Sequence, residues 1–188
     1  FNRRFSPYIQ KIKSLLKDQN TPKSCIYTVN AGFIDPDHWT QDKDLGGGRL
    51  VGECCHFIDL LRFVIQSPII KADVSKGIGI SKDTFSINLS FEDGSIATIH
   101  YFSNGNKSYS KERLEVFSGG KILTLNNFKS LQGHGFKGFR KMSGINQNKG
   151  HQNEIASFIK SIQGDQEIIT FNEIYEVTKV SIELSQTL

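Results

Sequence analysis

Apolar residues recur at helical spacing near the start of the chain, at Ile9, Ile12, Leu15 and Leu16. They follow Ser6-Pro7, an N-cap residue ahead of a proline suited to the first helical turn. Gln19-Asn20-Thr21-Pro22 closes this helix, and the short β-rich run over 25–31 predicts a strand. A polar loop over 32–48 ends in Gly46-Gly47-Gly48. From Arg49 to Ile65 the chain is apolar nearly all round, which marks a buried helix stopped by Ser67-Pro68. The period then changes to two. Strands are predicted over 69–75, 84–91, 95–102, 113–117 and 121–125, with hairpin-turn chemistry at Glu92-Asp93-Gly94 and Ser118-Gly119-Gly120. Residues 128–150 read as a long glycine-bearing loop. Two helices close the chain. The first, over 151–163, sets Ile155, Phe158, Ile159 and Ile162 on one face, and the second, over 171–188, follows the capping box Thr170-Phe171-Asn172-Glu173.

Strands gathered in one block, with helices before and after, predict an α+β fold: an open, mainly antiparallel sheet with helices packed on one face. The other face is left for association, and a homo-oligomer through it is expected. At 188 residues the chain is expected to form one domain over 1–188, large enough to need no disulfide or metal staple.

Composition narrows the function classes. Hydrophobic residues make up 37% and charged residues 22%, as in ordinary globular domains. No apolar stretch approaches the ~18 residues of a membrane span, so no membrane partner is expected. A net charge of +4 falls short of the dense basic stripe that nucleic acid demands. The one local excess, Lys137, Arg140, Lys141 and Lys149, reads as a solvated loop or an anion-contacting one. Cys25, Cys54 and Cys55 are odd in number and two are adjacent, which points to reduced thiols and a cytoplasmic setting. The chain opens on Phe1 without an initiator Met, as a piece of something longer would.

Three motifs carry candidate chemistry. Gly133-His134-Gly135-Phe136-Lys137-Gly138 spells G-x-G-x-x-G, but it sits in a polar loop with no helix opening at its end, so no dinucleotide fingerprint is expected there. Cys54-Cys55-His56 lacks a second ligand pair at zinc spacing and its cysteines lie in an apolar helix, so neither metal nor thiol chemistry is expected. Glu53, His56 and Asp59 form a slanted polar stripe on that helix, with Arg49 and Arg62 at its ends. One reading is a buried histidine flanked by ion pairs along the helix. The other is a general acid/base whose imidazole a carboxylate orients toward a cleft at the glycine turn. Asn30, His38 and Trp39 lie where a strand end and its loop approach that turn, and Trp39 is expected to cover the core edge.

The run from Asn30 through His38-Trp39 and Gly46-Gly47-Gly48 to His56-Phe57-Ile58-Asp59 resembles the second domain of the Gfo/Idh/MocA oxidoreductases. Asn2-Arg3-Arg4-Phe5-Ser6-Pro7, 111–117 and Lys149-Gly150-His151 resemble further blocks of that domain. The resemblance implies a substrate-binding and oligomerisation domain of a dehydrogenase that uses NAD or NADP on a sugar, sugar nucleotide or cyclitol. It implies that an N-terminal Rossmann domain, absent from this chain, holds most of the cofactor. His56 falls on the family's catalytic histidine, and Asn30, His38, Arg49 and Glu53 on candidate substrate-binding positions. Arg3 and Arg4 fall on candidate cofactor-binding positions. Many members carry Asp four residues before the histidine, where this chain has Gly52. A non-catalytic scaffold with the same fold is the alternative that Gly52 suggests.

Overall fold

The computed structural model describes residues 1–35, 37–42, 45–77, 83–164 and 167–188. Pro36, Lys43 and Asp44 of the polar loop lie outside the described residues. A 3₁₀ turn, Asn2–Phe5, leads into α1 (Pro7–Leu16), whose Ile9, Ile12 and Leu16 are buried as their spacing requires. β1 is Ser24–Asn30. A short 3₁₀ turn, Trp39–Gln41, interrupts the loop. The long apolar helix begins with a π-helical turn, Leu50–Cys54, and continues as α2 (Cys55–Ile65), which Gln66 ends in a left-handed conformation. The remaining strands are β2 (Ile69–Lys76), β3 (Phe85–Phe91), β4 (Ile96–Phe102), β5 (Glu112–Ser118), β6 (Lys121–Asn126), β7 (Ser130–His134) and β8 (Lys141–Ser143). Helices α3 (His151–Gly164) and α4 (Phe171–Gln186) follow.

The eight strands form one open sheet in the order β2-β3-β4-β1-β5-β6-β7-β8. Every neighbouring pair is antiparallel except β1 and β4, which run parallel. The expected α+β fold and mainly antiparallel sheet are found. Two strands were not expected: β7 and β8 fall within 128–150, read as a loop. Glycines and basic side chains hide them, but Leu131 is fully buried and β7 pairs along β6.

Alternation fixes the two faces of the sheet. Tyr27 and Val29, Ile87 and Leu89, Ile99 and Tyr101, Leu114 and Val116, and Leu123 and Leu125 point inward and are buried with Ile58, Leu61, Val64 and Ile65 of α2. Each such side chain contributes on the order of 2 kcal/mol through burial. The opposite face stays open. Across it Ile96, Ser24 and Phe117 stand in register on β4, β1 and β5, with Ile26 one step along.

Helix α3 departs from expectation. It has no buried residue and packs mainly on the Asn2–Phe5 turn. Its Ile155, Phe158, Ile159 and Ile162 are all at least half exposed, so its apolar face has no cover within the described residues.

Candidate functional site

The site is built at the start of the π-turn. Gly46 is pressed against the preceding 3₁₀ turn, where a Cβ would come within 2.6 Å of both Thr40 Cα and the Trp39 carbonyl oxygen. Gly47 and Gly48 take φ of +68° and +73°, the region that glycine enters without strain. His38 caps the 3₁₀ turn: its Nδ1 accepts from the Thr40 amide at 3.3 Å and lies 2.8 Å from the Thr40 hydroxyl. Gln41 donates to Asp83. Trp39 is 62% exposed. The expectation that it covers the core edge is therefore wrong, because its turn lies outside the helix start and not under it.

The π-turn carries Arg49 at its entrance and Glu53 near its end. The Arg49 side chain is 2% exposed and that of Glu53 35%. Arg49 Nε donates to the Tyr101 hydroxyl, which donates to Glu53 Oε2 at 2.8 Å, while Arg49 Nη2 stands 3.5 Å from Glu53 Oε1. Burial, and then the Glu53 charge, push the Tyr101 hydroxyl well above its ordinary range, so it remains protonated and donates. Arg49 Nη1 is buried without a hydrogen-bond partner. Gly52 is exposed, and a Cβ there would meet only the Gly46 carbonyl oxygen, at 3.7 Å.

His56 lies in the first turn of α2, partly buried, with the Phe1 ring edge-on at 5.7 Å between centroids. Its Nδ1 is buried and has no hydrogen-bond partner, so among the described residues no carboxylate orients the ring through that nitrogen. Burial first, then Arg3, push its pKa down to about 4 against the opposing charges of Glu154 and Glu112. The imidazole is therefore neutral at neutral pH.

The polar stripe does not act as one unit. Asp59 is fully buried and takes Arg4 in a two-pronged contact, Nε to Oδ2 at 3.0 Å and Nη2 to Oδ1 at 2.5 Å. Burial keeps that carboxyl above its ordinary range although Arg4 pulls it down. Arg62, expected beside Asp59, bonds instead to Glu176 of α4 at 3.0 Å. Arg3 holds Glu112, which also accepts from Tyr27 and from Lys149 at 2.6 Å. Burial alone would raise the Glu112 carboxyl, but Arg3 and Lys149 outweigh it and bring it to about 2. Arg3 and Arg4 thus spend their principal hydrogen bonds on buried carboxylates. Asn30, at the end of β1, donates to the Asn106 carbonyl at 2.7 Å and so ties down the segment between β4 and β5.

Arg49 and Glu53 are brought together, with His56 one step along the helix; Asn30 lies a strand away and His38 in the turn outside the glycines. Tyr101 and Glu112 were missed by sequence reasoning. Each sits on the inward face of its strand, where a polar group must have a partner, and that alternation was the available signal. Gly133 and His134 belong to β7, and Gly135 and Gly138 turn with φ of +79°, with no helix after them. Nothing there can cradle a pyrophosphate at a helix start, so the residues of this motif do not fit a dinucleotide. The Cys54 and Cys55 thiols are both pushed up by burial, which disfavours thiolates. Among the described residues no group of three His, Cys, Asp or Glu is placed to hold a metal, and no helix is long and apolar enough to cross a membrane.

Known proteins share this fold. The uncharacterized oxidoreductase YrbE of Bacillus subtilis (strain 168) is 25% identical over 126 residues, covering 62% of this chain and 36% of YrbE. A levoglucosan dehydrogenase solved with NADH and levoglucosan superposes with a TM-score of 0.79 at 17% identity, over 99% of this chain and 63% of that one. UDP-N-acetylglucosamine 3-dehydrogenase GnnA of Acidithiobacillus ferrooxidans superposes at 0.75 with 13% identity, over 99% of this chain and 59% of its own. The chain thus spans about a third of YrbE and about three-fifths of the two solved enzymes. The family profile described as GFO/IDH/MocA C-terminal domain matches residues 11–121, more than half of the chain. With that match, and with the sheet and helix start it covers, the chain belongs to the Gfo/Idh/MocA oxidoreductases as a C-terminal domain of that family.

Proposed function

We propose that this chain is the substrate-binding and oligomerisation domain of an NAD(P)-dependent dehydrogenase acting on a sugar, sugar nucleotide or cyclitol. In such a reaction a bound nicotinamide takes the hydride. The part of this chain is the proton: His56, neutral at neutral pH, accepts it from the substrate hydroxyl in oxidation and returns it in reduction. The observation that carries this reading is the His56 imidazole itself, uncharged and with Nδ1 committed to no partner, in the first turn of α2. Arg49 and Glu53 contact substrate hydroxyls, and Asn30 and His38 fix the loops around them. Arg3 and Arg4 shape the cofactor side of the cleft.

The dinucleotide is held by a Rossmann domain elsewhere in the polypeptide. Two facts support this: about two-fifths of each solved relative lies outside the part that superposes on this chain, and α3 offers an uncovered apolar face beside the Asn2–Phe5 turn. The open sheet face pairs with a second copy, and three free cysteines agree with a cytoplasmic site of action. A second reading, a scaffold domain without chemistry, is favoured by Gly52, which leaves no carboxylate four residues before His56. Replacing His56 with Ala in the full polypeptide separates them. Loss of turnover by about 100-fold or more supports the acid/base role; unchanged turnover sinks it.

A further inference from the structure

β2 is the last strand at one end of the sheet, and its outer edge pairs with no strand among the described residues. The Gly77 amide donates to the Thr84 carbonyl at 2.8 Å, and the register carries that alternation back along the strand. Lys71, Asp73 and Ser75 therefore exchange their hydrogen bonds with β3, while the amides and carbonyls of Ala72 and Val74 point away from the sheet. α4 runs alongside this edge in the same direction. Glu176 accepts from the Ile69 amide at one end, and Lys76 donates to the Leu188 carbonyl at 3.0 Å at the other. Between strand and helix lies a groove of about 600 Å³, walled by Ala72 and Val74 on one side and by Tyr175, Lys179 and Glu183 on the other. Ile70 and Tyr175 stand 66% and 58% exposed along it. The middle of β2 lies level with the stretch between Lys179 and Glu183.

Charged side chains on an edge strand keep unwanted strands away. On β2 they are one of each sign, Lys71 and Asp73, 3.1 Å apart on the open face and both more than half exposed. That pattern is complementary to itself when reversed. An antiparallel copy of β2 with Ala72 opposite Ala72 joins outward amides to outward carbonyls. It also sets each Lys71 against the other copy's Asp73, in the non-hydrogen-bonded pairs where side chains come closest. Registers centred on Lys71 or on Asp73 set like charges opposite each other and are disfavoured. The helix layer repeats the pattern: Lys179 and Glu183 are opposite charges 3.8 Å apart, and the same two-fold axis brings each Lys179 toward the other copy's Glu183.

We propose that β2 is a docking edge for a second copy of this chain, the two strands pairing antiparallel about a two-fold axis at Ala72. The two sheets then continue into one another, and Ile70 of each copy is covered by Val74 of the other. A second copy is the partner that fits, because both layers carry a charge pair that its own reversal satisfies. This seam uses the edge of the sheet. It is separate from the pairing of open faces proposed above, and one assembly can contain both.

The test is made on the full polypeptide by analytical ultracentrifugation, at concentrations around the wild-type dissociation constant. Lys71→Glu and Asp73→Lys each set like charges across the seam twice, and each is expected to weaken association about tenfold or more. Circular dichroism should be unchanged, because both side chains already lie in solvent. Mixing the two variants restores both opposite-charge pairs and with them the wild-type mass, and so does carrying both substitutions in one chain. Hydrogen exchange at the Ala72 and Val74 amides should be slow in the wild type and in the mixture, and fast in either variant alone. Single variants that keep the wild-type mass overturn the proposal, as does a loss of association that mixing does not repair. Slow exchange at Ala72 and Val74 with a mass that neither variant changes would place some other strand on the edge, and overturns the pairing of copies as well. Ile26→Asp, which acts on the open face, should leave the exchange at Ala72 and Val74 slow; fast exchange there would assign the association to that face and sink the seam.

Discussion

Arg3 grips Glu112 with two parallel hydrogen bonds, Nε to Oε2 at 2.8 Å and Nη2 to Oε1 at 3.0 Å, across 109 residues of sequence. Lys149 and the Tyr27 hydroxyl complete the cage, and the Glu112 carboxylate has no exposure. Removing the negative charge leaves two cations facing a neutral amide in a buried place. Glu112→Gln is therefore expected to destabilise the protein by about 3 kcal/mol. Urea unfolding followed by circular dichroism reads this as a lowered midpoint at unchanged slope.

The same carboxylate sets an acid limit. Its pKa is depressed in the folded protein, from 4.5 to about 2, so the unfolded chain binds the proton first as pH falls. The stabilisation is complete above pH 4.5 and is lost as the pH drops toward 2. The change amounts to about 3 kcal/mol over that window. Thermal melts across the range should show this slope in the wild type, and Glu112→Gln should flatten it.

His56 contributes in a different window. Its folded pKa, about 4, lies below the ordinary 6.5, so a proton again prefers the unfolded chain. Stability is unaffected above pH 6.5 and declines as pH falls from 6.5 to 4. His56→Gln should remove that part of the acid slope and leave the lower part intact. A histidine-selective NMR titration should place the midpoint near 4; a midpoint at the ordinary value would refute the burial argument.

The three consecutive glycines are not equivalent. Alanine at Gly46 would meet backbone at 2.6 Å, so the Trp39–Gln41 turn must move. Alanine at Gly48 has nothing within 4 Å and suffers only its φ of +73°. Gly46→Ala is expected to cost about 2–3 kcal/mol and to shift the emission of Trp39. Gly48→Ala should cost about 1 kcal/mol and leave the emission unchanged.

Much of this was legible in the chain. Period two located β3, β4, β5 and β6 to within a residue or two, and the apolar density of 49–65 located the buried helix, because both signals are local. What was hidden depended on partners distant in sequence. Nothing near Asp59 says that Arg4, and not Arg62, will reach it. Nothing near Cys25 says that β1 will run parallel to β4. The π-turn over Leu50–Cys54 has the composition of ordinary helix. At the site, His56, Arg49 and Glu53 stood out as polar residues in an apolar helix. Tyr101 did not, because a tyrosine inside a strand pattern reads as core until its hydroxyl is followed.

Proposed pairing through the open face has its own test. Ile26 stands at the middle of that face, flanked in register by Thr98 and Glu115. Ile26→Asp should leave the fold intact, since the side chain already meets solvent within one chain, and should halve the mass seen by analytical ultracentrifugation. A mass that stays at the monomer value in both proteins would dismiss the interface.

The parallel pairing of β1 with β4 also governs how the protein can be made. Ser24 pairs with Ile96 and, on its other side, with Phe117, so the central strand leaves the ribosome long before either neighbour exists. At about 5–20 residues per second, the 72 residues to Ile96 alone take on the order of 4–14 s. During that interval Tyr27 and Val29 belong to a nascent chain with no sheet to join. Of the strands in this sheet, β1 thus waits longest for its partners, and the strand that ends up best protected is the one whose apolar side chains go uncovered longest during synthesis.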